Sequence, residues 1–137
     1  MSKSNTTEND ILNMVLKGTD PSWRAGATQY LALYTADPGD AGTAITSEAN
    51  YPNYSRVAIT KATAWTDGGS SFSNAALVQF PKCNNTGGNN DITHFGIVTT
   101  ASGAGQILYS GALGSPLSVS NNIQPQFEAG TLVVTED

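Results

Sequence analysis

The sequence predicts an all-β protein, a jelly-roll-like β-sandwich of about eight strands with one short N-terminal helix. Only 12% of the residues are charged, about half of the ~25% that is usual in soluble domains, which leaves little material for charged amphipathic helices. Several short apolar runs are instead separated by turns rich in Gly, Asn and Ser. Short strands at this spacing are typical of a β-sandwich or barrel.

The predicted helix covers residues 7–18. Thr7 is its expected N-cap, and Gly18 supplies a C-terminal stop. A helix of this length is too short to be stable alone in water, so its apolar stripe must dock either on its own sandwich or on a neighbouring subunit. The second alternative makes the residues at helical spacing candidate partner contacts: Ile11, Leu12, Val15 and Leu16.

The remaining apolar runs predict strands at Gln29–Tyr34, Arg56–Lys61, Ala75–Phe80, Ile92–Thr99, Gln106–Leu113, Leu117–Val119, Pro125–Phe127 and Thr131–Glu136. The first run is apolar on both faces, as expected for a covered central strand. The most obvious turns are Asp67–Ser70, Asn84–Asp91, Ser102–Gly105 and Ser120–Asn122. A long connection at residues 35–55 favours a jelly roll or Greek key over a meander. One domain is expected over residues 1–137.

The charge pattern argues against two classes of partner. The net charge is −5, and the six basic residues are scattered along the chain. No cluster could neutralise several phosphates, so neither nucleic acid nor an anionic membrane is an expected partner. The first ten residues are polar and lack the apolar segment of a signal peptide, so synthesis in the cytoplasm is expected.

Residues that carry chemistry are scarce. His94 is the single histidine and Cys83 the single cysteine, which speaks against a catalytic triad and against a zinc site. Oxygen ligands for calcium could come from Asp37 and Asp40, or from the Asn-rich segment 84–91, but neither has EF-hand spacing. The expectation is therefore no enzyme activity, no cofactor and no metal.

Carbohydrate binding is the alternative that the residues leave open. β-sandwiches often present aromatic side chains from loops, and four aromatic residues lie in or near predicted connections: Trp23, Trp65, Tyr51 and Tyr54. Aromatic rings at strand ends more often close the core or an interface.

Several sequence blocks carry a resemblance to a known family. They are the run Tyr30–Thr43, Ser47-Glu48, the run Tyr51–Ala58, Asn74–Ala76 with Phe80-Pro81, Thr93–Ile97, Leu108–Leu113 and Phe127–Leu132. Together they resemble a family of small structural proteins from tailed bacteriophages and prophages, which commonly carry the label of tail-fibre proteins. The pattern is also similar to the small jelly-roll cement, or decoration, proteins on the capsids of some short-tailed phages. The resemblance covers roughly residues 10–137.

The resemblance implies a mechanical role in the virion. Copies would sit on the capsid surface, as homodimers bound to the lattice of the major capsid protein, and would stabilise the phage head against packaged DNA. The alternative is a tail or fibre component that binds a host-surface carbohydrate. A surface poor in charge suits the capsid role, because contact area then forms with little desolvation of ions.

Overall fold

The computed structural model describes residues 1–87 and 89–136. Within these ranges, two helices and nine strands follow one another as α1 (Asn5–Lys17), α2 (Ser22–Ala25), β1 (Thr28–Tyr34), β2 (Val57–Thr60), β3 (Trp65–Asp67), β4 (Ser71–Asn74), β5 (Val78–Gln79), β6 (Asn90–Val98), β7 (Ile107–Val119), β8 (Gln126–Phe127) and β9 (Val133–Thr135). The predicted all-β sandwich is confirmed.

The first layer is an antiparallel sheet in the order β2-β1-β6-β7. Its central strand β1 is buried from Leu31 to Tyr34, as the apolar residues on both faces predicted. Tyr34 and Gly96 show how closely β1 and β6 pack: a Cβ atom on Gly96 would lie 2.7 Å from the Tyr34 ring. Position 96 must therefore be a glycine, because the Tyr34 ring lies directly against its backbone.

The second layer is divided into a three-stranded sheet in the order β3-β4-β9 and the pair β5-β8, in place of the single four-stranded sheet of a regular jelly roll. The main core lies between the layers, where Leu31, Leu33 and Phe95 of the first sheet pack with Phe80 and Leu132. The ring centroids of Phe95 and Phe127 lie 6.1 Å apart across the layers. The layers are thus joined by aromatic as well as aliphatic contacts.

Several predicted boundaries are wrong. The helix begins at Asn5 rather than Thr7, because Ser4 is the N-cap and its hydroxyl accepts from the Thr7 N–H at 3.3 Å. The stop at Gly18 is confirmed, in the left-handed conformation with φ 66°. The four-residue helix α2 was not predicted.

Strand predictions differ in three places. The hairpin β3-β4 was missed, although the turn between its strands at Asp67–Ser70 was predicted. The runs at 106–113 and 117–119 form one strand, β7, with an irregular register between Ile92 and His94 of its partner. The run at 75–80 shortens to β5. The predicted turn at 84–91 includes Gly88, which lies outside the described residues.

A buried ion pair ties the long connection after β1 to a neighbouring loop. The Arg56 guanidinium donates Nε and Nη2 to the two carboxylate oxygens of Glu48 at 2.7 and 2.8 Å. Nη1 and Nη2 also donate to the carbonyls of Thr100 and Gly103, both at 2.8 Å. The Arg56 and Glu48 side chains are only 2% and 14% exposed. The hydrogen bonds to Glu48, which outweigh the opposing effect of burial, raise the Arg56 pKa, so this cation stays charged.

Replacing Arg56 by Met should lower the free energy of unfolding by roughly 3 kcal/mol, because the Glu48 carboxylate loses its cationic partner inside the protein and two loop carbonyls lose the donors that Arg56 supplies. Urea denaturation followed by circular dichroism measures the loss. Arg24→Met is the matched control, since the Arg24–Asp20 pair is exposed and should contribute less than about 0.5 kcal/mol. Equal losses in the two variants would contradict the assignment of a structural role to the buried pair.

Candidate docking surface

Helix α1 is attached to the sandwich through its polar side. Thr7 is the residue of this helix that is fully buried. Its hydroxyl donates to the Ile107 carbonyl at 2.7 Å and accepts from the Gln106 side-chain amide at 2.8 Å. The Ser4 hydroxyl donates to the same Ile107 carbonyl at 2.8 Å. The first turn of α1 is therefore fixed to the start of β7 by hydrogen bonds.

Asp10 extends this polar attachment by one helical turn. Its Oδ2 atom accepts from the Gln106 amide at 2.9 Å and from the Trp23 indole N–H at 2.8 Å. The acceptor therefore joins α1, the start of α2 and the residue before β7. Since acceptance by a carboxylate strengthens a hydrogen bond, Asp10 is a firm anchor for the helix.

The segment before α1 is also held in place. Ser2 pairs with Ser110 of β7 through two backbone hydrogen bonds of 2.9 and 2.8 Å. The Asn5 N–H donates to the Asp40 carbonyl at 2.8 Å, and the Ser2 hydroxyl donates to the Asp40 carboxylate at 2.6 Å. These contacts set the position from which the helix starts.

The opposite side of α1 is apolar and open. Leu12, Val15 and Leu16 are 56%, 70% and 75% exposed, and we call these three residues the exposed stripe. Their spacing of three and four residues places them side by side on one face. Ile11, the fourth predicted contact residue, is only half-buried. Of the two docking alternatives, packing of the stripe on its own sandwich is thus wrong for three of the four residues, and contact with a neighbour stays a prediction.

The four aromatic residues singled out from the sequence fall into two groups. Tyr51 and Tyr54 belong to the core, where their hydroxyls donate to the Pro81 carbonyl at 2.8 Å and to the Glu48 carboxylate at 2.9 Å. Burial, the largest cause, raises the pKa of both hydroxyls. Trp23 is bonded to Asp10, as above. Of these four residues, Trp65 alone lines an open cleft of about 560 Å³.

The single histidine and the single cysteine lie within the fold and contact neighbouring residues. The His94 ring is half-buried in β6, with its Nδ1 atom 2.8 Å from the Thr93 hydroxyl. The Cys83 thiol is buried and lies 3.5 Å from the Asn85 carbonyl. In the part of the chain that the structure describes, no three His, Cys, Asp or Glu side chains come together as a metal site. In the same part, no helix is long and apolar enough to cross a membrane.

Removing the Thr7 hydroxyl by Thr7→Val should loosen α1 while the sandwich stays folded. The variant loses the bond to the Ile107 carbonyl and leaves the Gln106 amide one acceptor short, a local cost of about 1–2 kcal/mol. Amide hydrogen exchange in residues 5–17 should become roughly tenfold faster.

The neighbouring substitution Thr6→Val is the matched control, because it makes the same chemical change at an exposed position of the same helix. Its exchange rates should stay close to those of the wild type. Unchanged exchange in Thr7→Val would show that the polar side does not hold the helix.

A protein-family model matches nearly the whole chain. The family model described as "Podophage GP4 fiber I protein gp80" matches residues 2–135. No curated protein matches the chain.

Proposed function

The chain belongs to the podophage GP4 fiber I protein gp80 family and is a structural protein of the bacteriophage virion, and from this premise we propose that it is a non-catalytic subunit of the fibre apparatus. In this proposal the exposed stripe of α1 attaches the subunit to another virion protein. The partner would offer an apolar groove or helix face, as in other helix-in-groove contacts.

The observation that carries the proposal is the orientation of α1. An amphipathic helix on a globular protein normally turns its apolar face to the core, whereas α1 buries Thr7 and exposes Leu12, Val15 and Leu16. Full burial of such a side chain is worth about 1.5–3 kcal/mol. The hydrogen bonds of Ser4, Thr7 and Asp10 hold the helix in the orientation that leaves this apolar surface available to a partner.

The small size of the stripe fits an assembly of many copies. One face of a 13-residue helix is smaller than the roughly 1,000 Å² expected of a stable interface between two free proteins. Several linked copies can nevertheless bind firmly, because each further contact forms at a high effective concentration. A repeated position in a virion supplies this condition.

The fold suits an attachment module better than a fibre shaft. The sequence has no internal repeat, and the described strands form short sheets of two to four members. A shaft is expected to show a repeated unit along its length. We therefore place the subunit at a junction, where it would connect a fibre or another appendage to its base.

Capsid decoration is the second candidate, with the major capsid protein as partner and a homodimer as the bound form. It is favoured by the low content of charged residues, 12% of the chain, which lowers the desolvation cost of broad contact with a shell. Decoration and fibre attachment would use the same exposed stripe and differ in where the copies sit. Immunogold labelling of purified virions separates them, since label at the tail supports the fibre proposal and label spread over the head supports decoration.

Neither candidate includes catalysis. The polar side chains inside the protein are engaged with one another: Glu48 with Arg56 and Tyr54, and Asp10 with Trp23 and Gln106. A general acid or base must instead reach a substrate proton. We propose that these groups stabilise the fold.

Changing the exposed stripe to glutamine (Leu12→Gln, Val15→Gln and Leu16→Gln together) should abolish incorporation into virions and leave the melting temperature nearly unchanged. Glutamine keeps helix propensity high and removes the apolar contact surface. Incorporation is measured by complementing a deletion phage with tagged protein and quantifying the tag in gradient-purified particles.

The matched control changes two exposed apolar residues outside α1, Ile45→Gln and Ile123→Gln. This variant should be incorporated like the wild type. Normal incorporation of the stripe variant would rule out α1 as the attachment surface, and detection of the wild-type protein only outside particles would rule out both virion roles.

A further inference from the structure

An open cleft of about 560 Å³ lies between the two layers of the sandwich. The first layer contributes Ile97 of β6 and Tyr109 of β7, and the three-stranded sheet contributes Trp65, Phe72 and Val134. We call these five residues and the space between them the aromatic cleft. Its volume falls within the roughly 300–1,000 Å³ of small-molecule sites.

Strand register explains why the three residues of the second layer share one face. Phe72 of β4 is paired directly with Val134 of β9, so their side chains point to the same side. Trp65 of β3 is paired with Asn74, which lies two residues from Phe72 on β4. Side chains two residues apart on a strand also share a face. The three apolar residues therefore lie near one another on one face of the sheet.

This face is turned to the other layer and yet is not covered by it. Phe72 is 44% exposed, and Trp65 is only half-buried. Among the described residues, the Trp65 indole N–H has no hydrogen-bond partner. Two aromatic faces and an indole N–H thus remain available in one concave surface, which is the arrangement of a ligand site rather than of a closed core.

Polar groups surround these apolar residues. Gln29, Ser70 and Thr135 line the cleft with an amide and two hydroxyls. Lys61 is positioned by bonds from its ammonium to the carbonyls of Trp23 at 2.5 Å and Arg24 at 3.1 Å. These groups offer both donors and acceptors.

Glu136 completes the polar rim. Its carboxylate accepts from the Lys3 ammonium and from the Tyr109 hydroxyl. Both bonds fix the carboxylate at the edge of the cleft, while each oxygen keeps a second lone pair for another donor. The rim is therefore ordered before any ligand arrives, which reduces the entropic cost of binding.

We propose that the aromatic cleft binds an oligosaccharide of the bacterial cell surface. The rings of Trp65 and Phe72 would stack on the apolar C–H faces of the sugar rings. Gln29, Lys61 and Glu136 would bond to the hydroxyls. The inference that the oligosaccharide comes from a cell surface rests on the role of the chain as a virion structural protein. The inference that the ligand is a carbohydrate rests on the residues of the cleft.

A protein partner fits this cleft less well. Cores of protein interfaces are depleted in Lys and Glu, whereas Lys61 and Glu136 both line the aromatic cleft. The mixture of aromatic faces with amide, hydroxyl, ammonium and carboxylate groups matches the mixed C–H and hydroxyl surface of a sugar. No residue of the exposed stripe lines the cleft, so the two surfaces can be tested independently.

Binding is tested on an array of bacterial lipopolysaccharide O-chains and capsular polysaccharides with the purified wild-type chain. The wild type should bind at least one of these glycans. Phe72→Ala and Trp65→Ala should each weaken that binding about tenfold or more, the loss expected for removing one stacked aromatic contact. Melting temperatures identify any variant that fails to fold.

Val133→Ala is the matched control. Val133 is 46% exposed and precedes Val134 in β9, so its side chain points to the opposite face of the same sheet. Glycan binding should be unchanged in this variant. A loss as large as that in Phe72→Ala would mean that the sheet as a whole, and not the aromatic cleft, is responsible, and would overturn the proposal.

Tryptophan fluorescence gives a second readout, because Trp23 and Trp65 are the two tryptophans of the chain. In Trp23→Phe the remaining indole lies in the cleft, and its emission should change as the array-selected oligosaccharide is added. In Trp65→Phe the remaining indole lies outside the cleft, and its emission should stay constant. The reverse pattern would place the ligand at Trp23 and overturn the proposal.

Two further outcomes decide against the cleft as a glycan site. Failure of the wild type to bind any glycan on the array would overturn the proposal, as would loss of virion incorporation in Phe72→Ala with glycan binding retained, which would make the cleft a protein contact. The glutamine variant of the exposed stripe should still bind glycan. Failure of the attachment role and failure of glycan binding are therefore seen in different variants.

Discussion

The fold depends on the bonds of one guanidinium group. All three Arg56 nitrogens donate to groups that lie far apart in sequence: the carboxylate of Glu48 and the loop carbonyls of Thr100 and Gly103. Glu48 in turn accepts from the Tyr54 hydroxyl, which itself accepts from the backbone N–H of Leu33 in β1. The long connection after β1 is thereby fixed against the central strand. The same connection includes Asp40, whose carbonyl accepts from the N–H of Asn5 at the start of α1.

A second constraint follows from the polar attachment of α1. Thr7 and Asp10 satisfy the Gln106 side chain, and the carbonyl of Ile107 is satisfied by two hydroxyls. Rotating the helix to bury the exposed stripe would leave these groups without partners inside the protein, at a cost of roughly 1–3 kcal/mol each. This cost opposes the gain from burying three apolar side chains. The orientation of the helix is therefore set within the chain, and the partner that we propose would meet a surface that is already formed.

The sequence predicted the elements whose residues are apolar without help from distant contacts. Strand β1 is apolar from Tyr30 to Tyr34, and Gly18 ends a helix by its own backbone freedom. The hairpin β3-β4 was missed because Asp67, Ser71 and Ser73 carry no strand signal, and β4 pairs with a β9 that lies about sixty residues away. Ser4 and Thr7 both carry capping hydroxyls. Both hydroxyls donate to the Ile107 carbonyl, and Ser4 is the N-cap because its hydroxyl also accepts from the Thr7 N–H, a difference that the spacing of apolar residues does not reveal. The sequence also predicted the apolar stripe of α1. Its outward direction could not be predicted, because that direction depends on hydrogen bonds from the helix to Gln106.

Helix α1 and the aromatic cleft are connected by a short path of hydrogen bonds. Lys61 at the cleft donates to the carbonyl of Trp23, and the indole of Trp23 donates to Asp10 on α1. Asp10 lies on the side of α1 opposite to the exposed stripe, so the path holds the helix and leaves the stripe open. Asp10 also accepts from Gln106, the residue before β7, so the path is anchored to the first sheet as well. The polar rim of the proposed glycan site is therefore tied through Lys61, Trp23 and Asp10 to both the helix and the sheet rather than to a free loop.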